Sequence, residues 1–240
     1  RACAIRIARY DTKDDEPERD SLTDDLITIE GPLISQIQDT YDKVVEFYSK
    51  NLVWTLDGLN PQSYPKETLW EFLVNAVIHR DYSISDHVHV SVFKDRIEIK
   101  SPGKLPGFVK VDNIRDSRFS RNSKLVRFLS RYPGAPNKDL GEGVNTAFNR
   151  MDEFGLKAPS IVEEGNYVRV SISHASKLQP EDAITAFVKK HCSINNQQAR
   201  DLTGIRESEK ITTIFGKLRD QQVLLKSDAK AVKDIVWTIA

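Results

Sequence analysis

The chain has 240 residues, of which 39% are hydrophobic and 29% are charged, a composition typical of globular proteins. Lysine plus arginine and aspartate plus glutamate each number 35, so no overall basic field indicates nucleic acid and any such surface must be local. No apolar run approaches the ~20 residues that a bilayer-spanning helix needs, so no membrane partner is expected. The two cysteines lie far apart without metal-ligand spacing, which favours reduced thiols and a cytoplasmic location.

The first half of the chain predicts a strand, a loop and a helix. Residues 1–10 alternate apolar and polar, which predicts a strand, and the chain begins on it with Arg1. We therefore interpret residues 1–24 as the end of a preceding domain and its linker. Residues 11–20 are acidic and predict a solvated loop. Apolar residues at helical spacing then predict a helix over about 31–52.

The next predicted helix opens at Pro65 and carries three polar residues on an otherwise apolar segment. Glu71, Asn75 and His79 are spaced i, i+4, i+8, so they fall on one face within roughly 80°. A carboxylate, a carboxamide and an imidazole in one line can activate water, ligate a hard cation and hydrogen-bond a phosphate. The alternative is a solvated stripe on an amphipathic helix.

Two glycine pairs flank a basic segment further along the chain. A hairpin predicted over 87–100 ends in a loop with Gly103 and Gly107, and a second pair, Gly141 and Gly143, opens a helix. Glycines before a helix let backbone N–H groups approach an anion, although such pairs also serve as plain turns. The segment between them is rich in arginine and has no regular pattern, which suits a lid over phosphates. No GxxxxGK[ST] loop is present.

Taken together these motifs resemble one known family. They are Glu71-x-x-x-Asn75-Ala-x-x-His79-Arg-Asp-Tyr82, Asp95-Arg-Ile-Glu-Ile, Ser101-Pro-Gly103, Arg121-Asn122 and Gly141-x-Gly143. The chain is similar over about 25–175 to the RecG-C-terminal-like ATPase domain of the GHKL superfamily. That resemblance implies an α+β fold, a Bergerat-type α/β sandwich. It also implies an AlbA-type (Schlafen-like) domain upstream, in prokaryotic proteins that often carry a winged helix behind. No motor helicase motif is present.

The resemblance also implies ATP and Mg²⁺ as ligands and assigns roles to matched residues. Glu71 would be the catalytic, water-activating carboxylate and Asn75 the magnesium ligand. The other residues expected to bind the nucleotide are His79, Ser101, Gly103, Arg121, Asn122, Gly141 and Gly143. Ser101 stands where the superfamily has an aspartate that accepts from the adenine amino group, so the charge of that contact is missing.

Residues 176–240 form a separate predicted module. Three short helical patterns and two strands give a winged helix-turn-helix layout, whose third helix typically enters the major groove. The residues expected to contact DNA are Arg206, Lys210, Thr213 and Lys217. From Glu181 onward ten Lys/Arg stand against eight Asp/Glu, so a protein-contact or dimerisation module is the alternative.

The sequence therefore favours a cytoplasmic prokaryotic DNA-binding transcriptional regulator, in which a GHKL-like nucleotide domain is coupled to a winged helix. Its expected partners are DNA, an adenine nucleotide and a second copy of the chain. Two alternatives stay open. One is a ligand-free, degenerate GHKL scaffold for dimerisation or protein contact, and the other is a weak ATPase coupled to DNA.

Overall fold

The computed structural model describes residues 3–23, 25–117, 119–132, 143–227 and 235–240. Its helices are α1 (Leu33–Ser49), α2 (Lys66–Ile78), α3 (Ser123–Ser130), α4 (Gly143–Glu153), α5 (Pro180–His191), α6 (Asn196–Thr203) and α7 (Ser208–Asp220). Its strands are β1 (Ile5–Arg9), β2 (Ile27–Ile29), β3 (Leu52–Thr55), β4 (Gly58–Pro61), β5 (Val88–Val92), β6 (Arg96–Pro102), β7 (Ser160–Glu164), β8 (Tyr167–Ser173), β9 (Leu224–Lys226) and β10 (Trp237–Ile239). None of the described helices has both the length and the apolar character that crossing a bilayer requires.

Six strands form one mixed sheet in the order β2-β1-β5-β6-β8-β7, in which β1 and β5 pair in parallel and the other neighbours are antiparallel. Val90 lies opposite Ile99, and Ile99 lies opposite Val170, so an apolar row crosses three strands on one face. The alternate positions are polar and half-buried on the other face, the usual pattern of a sheet covered on one side. The predicted α+β class is confirmed.

Helices α1, α2 and α4 contribute to the core that covers the apolar face, and α2 contacts both of the others. Ile37 of α1, Leu73 of α2 and Met151 of α4 have no exposed surface. Burying each such side chain stabilises the fold by roughly 1.5–3 kcal/mol. Thr68 also donates to the carbonyl of Ala147 at 2.9 Å and thereby ties α2 to α4. Core packing and this hydrogen bond therefore fix the position of α2 and of the polar residues that it carries.

The N-terminal strand is part of this sheet. β1 pairs with β2 on one side and with β5 on the other, so residues 5–9 belong to the same core. That residues 1–24 come from an upstream domain stays a prediction. Residues 11–20 are mostly exposed, as expected of a solvated loop, and the carbonyls of Lys13 and Asp14 anchor this loop by accepting from the guanidinium of buried Arg96 at 2.9 and 3.0 Å.

A hairpin that the sequence analysis missed joins α1 to α2. β3 and β4 pair with each other in a separate two-stranded sheet. The hairpin carries Trp54 edge-on against Phe187 of α5, with 5.8 Å between ring centroids. The apolar side of this short turn therefore faces the C-terminal helices and not the main core.

The C-terminal module consists of α5, α6, α7 and the β9–β10 pair, in the predicted order. Phe215 of α7 stacks on Trp237 of β10 at 4.8 Å, and both lie in a second core with Ile184. Asn195 caps α6 in a reciprocal capping box with Gln198, as expected for its position. The designation of this module as a winged helix stays a prediction, as do the domain boundaries at 24 and 175.

Residues 176–180, which lead into α5, do not separate the C-terminal module from the rest. The amide of Ser176 donates to the carbonyl of Leu202 at 3.1 Å. Lys157 donates to the carbonyl of Thr203 at 2.8 Å, and Gly204 lies so close to Ala175 that a Cβ on it would come within 2.5 Å. The end of α6 is thus docked against the strand layer.

Candidate nucleotide site on helix α2

Glu71 and Asn75 lie one turn apart on α2 and are hydrogen-bonded to each other. The amide nitrogen of Asn75 donates to Oε1 of Glu71 at 2.8 Å. Burial raises the pKa of Glu71, and the hydrogen bond from Asn75 opposes part of that rise. Because Asn75 uses its nitrogen on the carboxylate, its carbonyl oxygen is the atom left for a hard cation.

Gly143 brings the first turn of α4 directly against this pair. A Cβ on Gly143 would lie 1.9 Å from Oε1 of Glu71, far closer than any real contact. Only glycine allows the start of α4 to approach the carboxylate this closely. Residue Gly141, the other member of the predicted pair, lies outside the described residues. The predicted meeting of a glycine turn with the α2 stripe is therefore seen at Gly143.

His79 lies beyond the last turn of α2 as its C-terminal cap residue, with backbone angles of −105° and 0°. Burial, and secondarily the neighbouring Arg121 charge, lowers the pKa of His79 to about 4, so the ring is neutral at pH 7. Its Nδ1 is buried and has no hydrogen-bond partner in the described part of the chain. A buried ring nitrogen without a partner is costly, and a ligand would satisfy it.

The first glycine loop lies against the turn that follows α2. Gly103 has φ +105°, and a Cβ there would come within 2.8 Å of the Asp81 Cβ and 3.2 Å of the Arg121 guanidinium. The amide of Asp81 also donates to the carbonyl of Pro102 at 2.7 Å. Gly103 is consequently required both by its backbone angle and by the close approach of two side chains.

Two residues expected to bind nucleotide instead satisfy the end of α2. The Ser101 hydroxyl donates to the carbonyl of Ala76 at 2.7 Å. The Asn122 amide donates to the carbonyls of Ile78 and Arg80 at 2.8 and 2.9 Å. The last carbonyls of a helix have no partner within it, so these bonds hold the helix end in place. The Ser101 hydroxyl oxygen can still accept a hydrogen bond, whereas both N–H groups of the Asn122 amide are already donated.

The His-Arg-Asp-Tyr sequence has a similar structural explanation. The Tyr82 hydroxyl donates to the carbonyl of Val77 at 2.9 Å. Arg80 is buried and bonds to the carbonyls of Ile84 and Asp86, while its guanidinium lies over the Tyr82 ring. Sequence analysis could have found these roles by asking which donors satisfy the C-terminal carbonyls of a buried helix.

Arg121 is held by protein groups. It forms an ion pair with Asp81 at 2.8 Å and donates to the carbonyl of Lys104 at 2.6 Å. The hydroxyl of Ser83, then its amide and then the Arg121 charge hold the pKa of Asp81 below its usual value. A phosphate would have to compete with Asp81 for this guanidinium.

The residues expected to contact DNA divide into two groups. Arg206 is directed at the strand layer, where it pairs with Asp15 at 2.8 Å and Asp95 at 3.2 Å, so its expected place on an outward DNA face is wrong. Lys210, Thr213 and Lys217 are exposed on α7. Each of the two lysines pairs with a carboxylate: Lys210 with Glu207 at 2.7 Å and Lys217 with Glu181 at 2.8 Å.

The α2 residues fit a magnesium-bound nucleotide. In the described residues no group of three or more His, Cys, Asp or Glu side chains gathers as a metal cluster. A magnesium ion that keeps most of its waters and rests on phosphates needs only one or two protein oxygens. The Asn75 carbonyl and the Glu71 carboxylate would supply these, at the place where the start of α4 meets the carboxylate.

Comparisons with known proteins agree with part of this reading. A family described as "Putative ATP-dependent DNA helicase recG C-terminal" matches residues 85–172, which include Ser101, Gly103 and Gly143 but not α2. A crystal structure of the DIP2311 protein from Corynebacterium diphtheriae is similar with a TM-score of 0.59 and 16% identity, which concerns the fold alone. All of this chain is covered, and it spans 51% of that one. No functionally curated protein matches. Over residues 85–172 the chain is thus similar to the ATPase-like RecG C-terminal domain family.

Proposed function

We propose that this protein binds Mg-ATP on α2 and acts as a DNA-binding transcriptional regulator whose α7 contacts duplex DNA. The observation that carries the nucleotide part is the contact between Gly143 and the hydrogen-bonded Glu71–Asn75 pair. A helix that begins at a bare glycine favours negative charge at that end, and a carboxylate–carboxamide pair beside it suits a cation-bound phosphate.

The roles of the chain's own residues follow from the contacts. Asn75 would hold the cation through its carbonyl oxygen, and Gly143 lets the N-terminus of α4, which favours negative charge, lie directly against the Glu71 carboxylate. Neutral His79 supplies a ring nitrogen that needs a partner. When bound, the metal neutralises phosphate charge. Gly103 shapes the loop on the other flank, and Arg121 closes it through Asp81.

Calorimetric titration with Mg-ATP tests the nucleotide site. Wild type should bind, and Asn75→Ala should lose at least tenfold in affinity because the cation loses a ligand and Glu71 loses its hydrogen bond. Asn60→Ala is the matched control, because the Asn60 side chain bonds to Thr55 and Gly58 inside the β3–β4 hairpin. A wild-type protein that binds no adenine nucleotide contradicts the proposal.

Hydrolysis is a second candidate, favoured by the raised pKa of Glu71. A partly buried carboxylate with a higher pKa is a better proton acceptor for an attacking water. Phosphate release that is present in wild type and lost in Glu71→Gln, with Mg-ATP affinity retained, would support this activity. Binding without release in wild type would limit the protein to nucleotide binding.

A nucleotide-free scaffold is the third candidate, and one observation favours it. Ser101, Arg121 and Asn122 all bond to protein groups and complete the end of α2 without a ligand. Light scattering with and without Mg-ATP separates the candidates. A stable dimer that no nucleotide changes, together with a null titration, would favour the scaffold.

The DNA part rests on the exposed side of α7. Lys210, Thr213 and Lys217 face outward, opposite Ile211, Phe215 and Leu218 in the core. Affinity for a duplex should fall steeply with salt, and the log–log slope should decrease by about 0.9 in Lys217→Gln. No duplex binding at low salt would contradict this assignment.

A further inference from the structure

The segment between the first glycine loop and the end of α3 is the most basic part of a neutral protein. Residues 104–132 contain eight Lys/Arg and two Asp/Glu, whereas the whole chain has 35 of each. The segment also holds four aromatic residues, Phe108, Phe119, Phe128 and Tyr132. The nucleotide site uses Arg121 and Asn122 from this segment and leaves the rest unexplained.

Helix α3 presents one outward stripe of cations and an aromatic ring. Lys124, Arg127, Phe128 and Arg131 have i, i+3, i+4, i+7 spacing and are exposed, whereas Val126 and Leu129 are buried on the opposite side. Like charges at this spacing repel one another, and α3 contains no carboxylate. No ion pair involves these three cations within the described ranges. The three cations of this stripe are therefore available to bind an anionic molecule that is not part of the chain.

The aromatic residues of the segment are exposed and arranged in pairs. Phe108 and Phe119 are 62% and 45% exposed and meet edge to face with centroids 5.8 Å apart. A Cβ on Gly107 would lie 3.0 Å from the Phe119 ring, so this ring packs directly against the backbone of Gly107. Phe128 and Tyr132 form a second pair at 6.4 Å. Four exposed rings in one basic segment form apolar surface of the kind that marks an interaction site.

We infer that the described residues 104–117 and 119–132 form a binding surface for single-stranded nucleic acid, separate from α7. Cations contact the phosphates of such a strand, and aromatic rings stack on its unpaired bases. A duplex uses the cations alone, because its bases are already stacked on each other. A mononucleotide at α2 would leave the outward stripe of α3 unused, because that stripe lies opposite the buried side of the helix.

Fluorescence anisotropy with a labelled oligothymidylate of about 20 nucleotides tests the surface, since such a strand is longer than one binding site. Wild type should bind it at low salt and more tightly than the matching duplex. Phe108→Ala and Phe119→Ala should each lower affinity by roughly tenfold, because each removes a stacking platform. The double variant Lys124→Gln/Arg127→Gln should decrease the salt slope by about 1.4.

Matched controls separate this surface from the proposed function. Phe154→Ala removes another half-exposed phenylalanine, at the end of α4, and should leave single-strand affinity unchanged. Lys210→Gln/Lys217→Gln should weaken duplex binding alone, and Asn75→Ala should weaken Mg-ATP binding alone. Failure of either of those sites leaves the single-strand result standing.

Three outcomes would overturn the inference. The first is no binding of the oligothymidylate at low salt. The second is an affinity that Phe108→Ala and Phe119→Ala leave unchanged, since a surface without stacking would be a general anion site. The third is equal binding of poly-glutamate that the phenylalanine variants also leave intact, which would assign the surface to acidic proteins.

Discussion

Helix α2 and helix α7 each carry predicted site residues, and the structure treats them differently. On α2 the predicted neighbours meet, because Gly143 lies against Glu71, which accepts a hydrogen bond from Asn75. On α7 and just before it, every predicted cation is paired with a carboxylate of the same chain. A glycine whose position leaves no room for a side chain meets a steric requirement, so the residue type itself indicates its role. A surface charge is available to many partners, so its role is not fixed by sequence.

The largest expected effect tests the steric side of this comparison. Gly143→Ala should destabilise the fold by about 3 kcal/mol and abolish Mg-ATP binding, because its Cβ would overlap the Glu71 carboxylate. Urea denaturation and calorimetry measure both losses. Gly216→Ala on α7, where a Cβ would meet nothing, is the control and should be neutral or stabilising by ~0.5–1 kcal/mol.

A double variant sharpens the same point. If the overlap with Glu71 is the cause, Glu71→Ala in the Gly143→Ala background should recover most of the lost stability while binding stays absent. A Gly143→Ala protein as stable as wild type would mean that the start of α4 is free to move away from α2.

Acid should destabilise the α2 region through His79. The pKa of His79 is about 4 in the folded protein and 6.5 in the unfolded chain, so the unfolded state binds more protons between these values. Stability should thus be full above pH 6.5 and fall by about 3 kcal/mol toward pH 4 on this account. Urea midpoints of wild type and His79→Gln across this range measure it. Parallel curves for the two proteins would contradict the shift.

His174 offers an internal comparison at a second buried site. Burial lowers the pKa of His174 also to about 4, and its ring lies edge-on to Tyr64. His174→Gln should remove a share of the acid sensitivity similar to that removed by His79→Gln. Only the His79 variant should also alter Mg-ATP affinity, because His174 accepts from the amide of Ser63 and packs on Tyr64, both of which precede α2.

The fold was predictable where periodicity was strong, and the failures have physical causes. The β5–β6 hairpin alternates apolar and polar residues, and α4 has one apolar stripe, so both were found. The β3–β4 hairpin was missed because its apolar residue Trp54 faces the C-terminal core, which sequence spacing does not reveal. Helix α3 was missed because its two core residues lie among cations and small polar residues.

The site was predictable as far as local spacing reaches. Glu71 and Asn75 are one turn apart, and their hydrogen bond follows from that spacing. The roles of Ser101 and Asn122 at the end of α2 were not seen, because they depend on which carbonyls the tertiary fold leaves unpaired. Arg206 was misplaced for the same reason, since Asp15 and Asp95 are distant in sequence.

Ser101→Ala tests the helix-end role and should cost about 2 kcal/mol, because the buried carbonyl of Ala76 loses its donor. Ser130→Ala is the matched control, since its hydroxyl also bonds to a helix carbonyl but at an exposed position, and the loss there should stay within about 0.5 kcal/mol. Thermal unfolding of both variants measures the difference. Equal losses would mean that burial does not distinguish the two bonds.

The smallest effect separates the two kinds of cation near α7. Arg206→Gln should cost about 1 kcal/mol, because its ion pair with Asp95 is partly shielded from water and, together with the exposed pair to Asp15, links the C-terminal module to the strand layer. Duplex affinity should not change. Lys217→Gln should do the opposite, because its pair with Glu181 is exposed and contributes little stability while the charge faces outward. Urea unfolding measures the stability of each variant, and duplex titration measures its affinity for DNA. If Arg206→Gln weakened duplex binding as much as Lys217→Gln did, the contact of Arg206 with Asp15 and Asp95 would have to open when DNA binds.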